Sequence, residues 1–146
     1  MTRSAQALVM FQTGFMCSQS VFAAFAQDAG LSREKALMIA SGFGAGMGRM
    51  SLTCGAVTGA FMVLGLKEGY SCDDSKESRE KIYRLVREFA DTFRTMHGSI
   101  ECRELLGFDI STPEGYQGAA DSGIFRTLCP LLVQSAVEIT EKMLRP

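Results

Sequence analysis

A glycine-rich stretch that leads into a cysteine, residues 42–59, constrains the fold of this chain more than any other feature. Four glycines stand at every second position from Gly42 to Gly48. Helices and strands both disfavour such a run, because glycine loses the most backbone freedom when it becomes ordered. We therefore expect a tight, shaped loop at this point in the chain.

The apolar run after that loop predicts a helix from Cys54 to about Lys67. Thr53 is a suitable N-cap, which would put Cys54 at the first helical position. The run is apolar nearly all round, as expected for a central, buried helix. Free backbone N–H groups and the aligned peptide dipoles at a helix N-terminus favour a thiolate over a thiol. We therefore expect an activated thiol at Cys54.

Hydrophobic periodicity predicts helices along the rest of the chain, and no alternating strand pattern competes with it. The clearest amphipathic segment is 75–97, where Phe89 and Phe93 share one face. That face could pack in the core or serve as a homodimer interface, and core packing is favoured. With 146 residues, 47% of them hydrophobic, the chain suits one core and is too short for two domains. We predict an all-α fold, a single compact domain over residues 1–146 with about six or seven helices around a buried central helix.

Charge and hydropathy exclude several classes of protein. Fifteen basic and sixteen acidic residues give a formal net charge of −1, which offers no general field for nucleic acid. The longest apolar stretch, Gly55 to Leu66, is shorter than the roughly twenty residues that span a bilayer. The N-terminus lacks the pattern of a secretory signal. We expect a cytoplasmic protein that binds no nucleic acid and does not insert into membranes.

The five cysteines are the unusual part of the composition, because a reducing compartment seldom keeps structural disulfides. The sequence has no Cys-x-x-Cys motif, so any shared site must be assembled by folding. Four cysteines fall at predicted helix starts: Cys17, Cys54, Cys102 and Cys129. Cys72 lies in a polar turn beside acidic residues that raise a thiol pKa, and we assign it no role.

If those four helix starts converge, they would hold four thiolates beside backbone N–H donors, which suits an anionic iron–sulfur cluster. We expect the glycines at the site to allow close backbone approach to such a cluster: Gly44, Gly46, Gly48 and Gly55. The alternative role for each cysteine is plain packing as a small buried side chain. Arg49 and Arg103 can add positive charge near the site, but surface salt bridges are the simpler expectation.

The sequence also resembles the family of putative redox-active proteins named for the pattern C-GCAxxG-C-C. The resemblance covers nearly the whole chain and rests on segments 14–22, 40–49, 54–59 and 102–107 and on Cys129-Pro130. The four characteristic cysteines of that family correspond to Cys17, Cys54, Cys102 and Cys129. The chain departs from the family name at the central motif, where residues 52–55, Leu-Thr-Cys-Gly, supply a single cysteine. The resemblance implies redox activity, and similar domains occur attached to electron-transfer modules.

Three hypotheses follow. The preferred one is an electron carrier, redox sensor or oxidoreductase that binds a cluster of the 2Fe-2S type through the four cysteines and exchanges electrons with a partner protein. The second is a metal-free protein whose cysteine pairs cycle between thiol and disulfide. The third is an interaction module whose cysteines only pack.

Overall fold

The part of the chain described in this computed structural model, residues 1–71 and 75–145, is mostly helical and contains no strand. The ten α-helices within these ranges are α1 (Arg3–Gln12), α2 (Cys17–Ala26), α3 (Arg33–Ala40), α4 (Gly44–Met47), α5 (Gly55–Glu68), α6 (Lys76–His97), α7 (Cys102–Leu106), α8 (Pro113–Ser122), α9 (Ile124–Thr127) and α10 (Cys129–Leu144). Short 3-10 turns follow α2 and α3. The predicted all-α fold is confirmed, because the described residues form helices and no strand. Seven of the ten helices there have eight residues or more, which is close to the predicted six or seven.

Side-chain caps start four of these helices where the sequence has a capping residue. The hydroxyls of Thr2, Ser32, Ser75 and Thr112 each accept a hydrogen bond from the backbone N–H three residues ahead. Such bonds satisfy donors that have no partner inside the helix. Ser18 differs, because it lies inside α2, where its buried hydroxyl donates to the carbonyl oxygen of Ala40 at 2.8 Å. That bond ties α2 to the end of α3.

The central helix is α5, as predicted. It packs against α2, α6 and α10, and its first six residues are all buried. Gly59 allows the close crossing with α2, since a Cβ there would lie 2.9 Å from the carbonyl oxygen of Ser18. Helix α1 packs against α2 and α10 and completes this group.

The amphipathic helix α6 turns its aromatic face into the core. Phe89 and Phe93 are both 0% exposed, and their rings stack with centroids 5.9 Å apart. Phe61 of α5 meets Phe89 edge to face at 5.8 Å. Phe89 and Phe93 therefore pack in the core, as favoured from the sequence, and their side chains are not exposed for a homodimer interface.

The buried side chains form two clusters of unequal size. The main core joins α1, α2, α3, α5, α6 and α10 and includes Cys54, with Cys17 packed against it. A small core contains Cys102, Leu106, Ile110 and Ala119, with Cys129 packed against it. The four cysteines thus divide equally between the two clusters. We call the boundary between the two clusters the seam.

Within the described residues, no helix is both long enough and apolar enough to cross a membrane.

Candidate functional site

The four cysteines at helix starts all line one cavity of about 720 Å³. Cys17, Cys102 and Cys129 are the first residues of α2, α7 and α10, and Cys54 is the N-cap of α5. The prediction that these four cysteines lie at helix N-termini is therefore confirmed. Two positions differ slightly from the prediction: Cys54 is the N-cap instead of the first helical residue, and Cys102 is the first helical residue instead of the third. Cys72 lies outside the described residues.

A short antiparallel bridge places Cys54 beside the start of α7. Thr53 pairs with Glu101, the Cys54 N–H donates to the carbonyl oxygen of Ile100 at 2.8 Å, and the Cys102 N–H donates to that of Leu52. One residue pair gives no alternating pattern in the sequence, so this contact could not be predicted. It fixes the backbones of two cysteines that are 48 residues apart along the chain.

Gly55 brings the starts of α2 and α5 together. A Cβ at this position would collide with the Sγ of Cys17 and would lie 3.1 Å from the carbonyl oxygen of Phe43. Only a residue without a side chain leaves room for that sulfur. Gly55 is therefore a requirement of the cysteine arrangement.

The glycine loop forms an unusual left-handed turn. Five consecutive residues, from Ala45 to Arg49, have φ between +57° and +71°, and Ser51 has φ +61°. The left-handed region costs an L-residue other than glycine roughly 1–2 kcal/mol. The expected shaped loop is thus present, but Ala45, Met47, Arg49 and Ser51 hold strained conformations in it that the sequence did not indicate.

Neighbouring segments hold this loop in place. A Cβ on Gly46 would lie 2.6 Å from the backbone nitrogen of Leu52, so the two segments are in close contact. Arg103 donates from Nε to the carbonyl oxygen of Ser51 at 3.1 Å and from Nη2 to that of Met50 at 3.3 Å. Gly44, Gly46, Gly48 and Gly55 all line the cavity.

Backbone N–H groups of neighbouring residues lower the pKa of two of the thiols. Those of Ala45, Ser18 and Gly55 act on Cys17 and favour its thiolate. Those of Ala56 and Val57 do the same for Cys54. Donors of this kind stabilise negative charge on a sulfur and hydrogen-bond the sulfurs of a metal cluster.

Burial nevertheless outweighs those donors and raises the pKa of all four thiols. Burial is the first cause for Cys17 and for Cys54, which is 6% exposed and whose pKa is raised further by the nearby Cys17. Burial raises the pKa of Cys102 to about 11 and that of Cys129 to about 12. The prediction of an activated Cys54 thiolate is therefore wrong for the protein alone, because the helix terminus does not compensate for lost water.

The four thiols are free, and each interacts electrostatically with at least one other thiol. Cys17 acts on the pKa of Cys54, Cys102 and Cys129, which makes it the common neighbour. Within residues 1–71 and 75–145, however, no three cysteine, histidine or carboxylate side chains are grouped so that they could hold one metal ion. The arrangement is a set of neighbouring thiols around a cavity rather than a closed cage.

Aromatic side chains and one arginine line the cavity beside the cysteines, and no pattern in the sequence indicates the aromatic pair. The Arg49 guanidinium lies 4.4 Å from the Tyr116 ring centroid, and Tyr116 packs against Phe125 at 5.5 Å. Arg103 forms the expected salt bridge, with Asp109 at 3.8 Å. Arg49 forms none with the described residues.

Comparison with known proteins identifies one family. A family model described as "Putative redox-active protein (C_GCAxxG_C_C)" matches residues 15–143, which include all four cysteines of the cavity. No curated protein and no solved structure gave a match to the chain.

Proposed function

Since the chain belongs to the C_GCAxxG_C_C family of putative redox-active proteins, we propose that it binds an iron–sulfur cluster of the two-iron type and serves in electron transfer or redox sensing. Cys17, Cys54, Cys102 and Cys129 are the proposed ligands. The observation that carries the proposal is the convergence of these four thiols, each at a helix start, on one cavity.

The residues present fit such a group chemically. Four cysteine thiolates are the ligand set of a two-iron cluster, in which each iron takes two protein sulfurs. The described residues contain no group of three ligands for a single metal ion, so the proposal rests on the convergence of the four cysteines on one cavity. When bound, a cluster supplies the capacity to accept and release an electron. Cys17 and Cys54 would bind where neighbouring backbone N–H groups already favour their thiolates.

The raised thiol pKa values favour this proposal over thiol–disulfide exchange. The attacking species in exchange is a thiolate, and thiols with a pKa near 11 or 12 hold little thiolate at neutral pH. A coordinating metal, by contrast, displaces the proton and supplies the missing positive charge. The alternative of disulfide cycling would need two thiols to release two electrons and two protons to an oxidising partner, such as a disulfide.

The test is a visible absorption spectrum with iron and acid-labile sulfide assays on protein purified without oxygen. We expect broad sulfur-to-iron charge-transfer bands and nearly equal amounts of iron and sulfide. Replacing Cys54 by Ser should remove the charge-transfer bands together with the iron and sulfide, because the cluster would lose one of its four ligands. The matched control is Cys72→Ser, which removes a thiol outside the family pattern and should keep colour and iron.

A colourless, iron-free wild-type protein would contradict cluster binding. Free-thiol counts across a redox titration would then test disulfide cycling among the same cysteines. The electron partner would be another protein, and a reducing compartment such as the cytoplasm would keep the thiols available for the metal.

A further inference from the structure

The cavity is larger than a two-iron cluster requires. Four inorganic atoms occupy on the order of 100 Å³ if each takes about the share of a water molecule. The cavity holds about 720 Å³, and pockets that bind small organic molecules measure roughly 300–1,000 Å³. Most of the cavity would therefore be free for a second occupant beside the cysteines.

The walls of the cavity combine an apolar surface with a single charge. Most of its large apolar side chains come from α1, α7, α9, α10 and the segment before α8: Phe11, Leu105, Leu106, Ile110, Phe125 and Leu132. Among the described residues that line the cavity, Arg49 alone carries a charged side chain, and none is acidic. Such a wall favours a molecule with an apolar body and one negative charge.

The Arg49 side chain is available for that charge. No carboxylate of the described residues lies within ion-pair distance of it, and its guanidinium rests on the Tyr116 ring at 4.4 Å. An arginine held on an aromatic face keeps its planar donors free to bind a carboxylate or sulfonate through two hydrogen bonds. Its backbone also takes a strained φ of +64° in the left-handed turn. Strain of this kind is concentrated at ligand sites.

We infer that the cavity binds a small organic anion, with the apolar body against the cavity wall and the acid group paired with Arg49. This site lies beyond the proposed cluster function, because neither Arg49 nor the apolar side chains of the cavity supply a metal ligand. The organic anion is thus a candidate substrate or effector placed next to the four cysteines.

The experiment compares two fluorescent probes of similar shape on the full chain. The first is 8-anilinonaphthalene-1-sulfonate, which has an aromatic body and one negative charge; the second is N-phenyl-1-naphthylamine, which has no charge. We expect saturable binding of the sulfonate. Arg49→Gln should weaken that binding roughly tenfold, because a charge-assisted pair is lost, and should leave the neutral probe unaffected.

The matched control is Arg33→Gln. Arg33 is exposed and lies over the Phe15 ring, 5.5 Å from its centroid, but it does not line the cavity. Arg33→Gln therefore removes the same charge and the same kind of ring contact as Arg49→Gln, but at a place outside the cavity. A second variant, Tyr116→Leu, keeps the charge but removes the ring that supports it, and should weaken sulfonate binding to a smaller extent. Circular dichroism verifies that each variant is folded.

Three results would overturn the inference: no sulfonate binding by the wild type, equal losses in the Arg49 and Arg33 variants, or an equal loss for the neutral probe. Iron is assayed on the same preparations. Arg49-dependent binding in iron-free protein would support the anion site and contradict the cluster. Coloured, iron-containing protein without Arg49-dependent binding would support the cluster and contradict the anion site.

Discussion

Gly55 is the single residue on which the closest contact of the site depends. Replacing it by Ala would drive a Cβ into the Sγ of Cys17 and toward the carbonyl oxygen of Phe43. We expect the free energy of unfolding to fall by about 1–3 kcal/mol, as for other overpacked positions. Chemical denaturation of the reduced protein measures this change, and iron content should fall with it.

The control for that substitution is available in the same helix. Gly65 is exposed in α5, and a Cβ there meets no atom within 4 Å. Gly65→Ala should therefore raise the free energy of unfolding by roughly 0.5–1 kcal/mol through higher helix propensity. Equal effects at the two glycines would contradict a steric role for Gly55.

The raised pKa of Cys102 predicts a loss of stability at alkaline pH in the metal-free, reduced protein. This thiol is 7% exposed, and burial raises its pKa from 9.0 to about 11. Between those values the unfolded chain releases the proton and the folded protein keeps it, so the free energy of unfolding falls as pH rises. The slope is up to about 1.4 kcal/mol per pH unit for one thiol.

Denaturation curves from pH 8 to 11 measure that slope. Cys102→Ala should make it shallower, because the variant has one fewer thiol to titrate. An identical slope in the variant would show that other groups cause the alkaline loss. Below pH 9 both states hold the proton, and the two proteins should show parallel pH dependence.

These residues also show where sequence reasoning is reliable and where it is not. Capping residues and apolar runs are local, so the positions of Cys17 and Cys129 at helix starts could be predicted to within about a residue. The pKa of each thiol depends instead on how much water the folded chain removes, which periodicity does not contain. The contact between Gly55 and Cys17 likewise joins segments that are distant in sequence.

At the scale of elements, the left-handed turn allows a direct comparison of two glycines in one loop. Gly46 and Gly48 have φ of +71° and +62°, but a Cβ on Gly46 would meet Leu52 at 2.6 Å, whereas one on Gly48 has nothing nearer than 4.0 Å. Gly48→Ala should cost about 1–2 kcal/mol of unfolding free energy from backbone strain. Gly46→Ala should cost about 1–3 kcal/mol more from the clash.

Thermal or chemical denaturation of the two variants measures the difference. Equal costs would mean that the contact between residues 46 and 52 is easily relieved.

The four alternating glycines did predict a shaped loop, since few other structures accept them. They did not predict its handedness, because four strained residues other than glycine take part, and tertiary contacts with Arg103 stabilise them.

At the scale of the whole molecule, the seam between the main core and the small core predicts unequal stability. The small core has four buried side chains, whereas the main core spans six helices. We expect amide hydrogens of α7 to exchange at least roughly tenfold faster than those of α5 in the metal-free protein, because sparse packing lowers the cost of local opening. Hydrogen exchange followed by mass spectrometry measures both helices at once.

A bound cluster would connect the two cores, since each contributes two of the proposed ligands. Loading with iron and sulfide should therefore slow exchange in α7 more than in α5. Equal protection of the two helices would contradict this link. We propose that the chain is a single domain all the same, because Leu128 packs against both cores and the cavity is shared between them.

The positions of the four cysteines along the chain have a consequence for synthesis. Cys17 and Cys54 belong to the first 54 residues, whereas Cys129 begins α10. A ribosome releases residues in chain order, so Cys17 and Cys54 emerge before Cys102 and Cys129. Because α1 also packs against α10, the nascent chain cannot close around any bound group until α10 has been synthesised. Insertion of a metal cluster would therefore have to follow the synthesis of α10, and the early thiols would have to stay reduced until then.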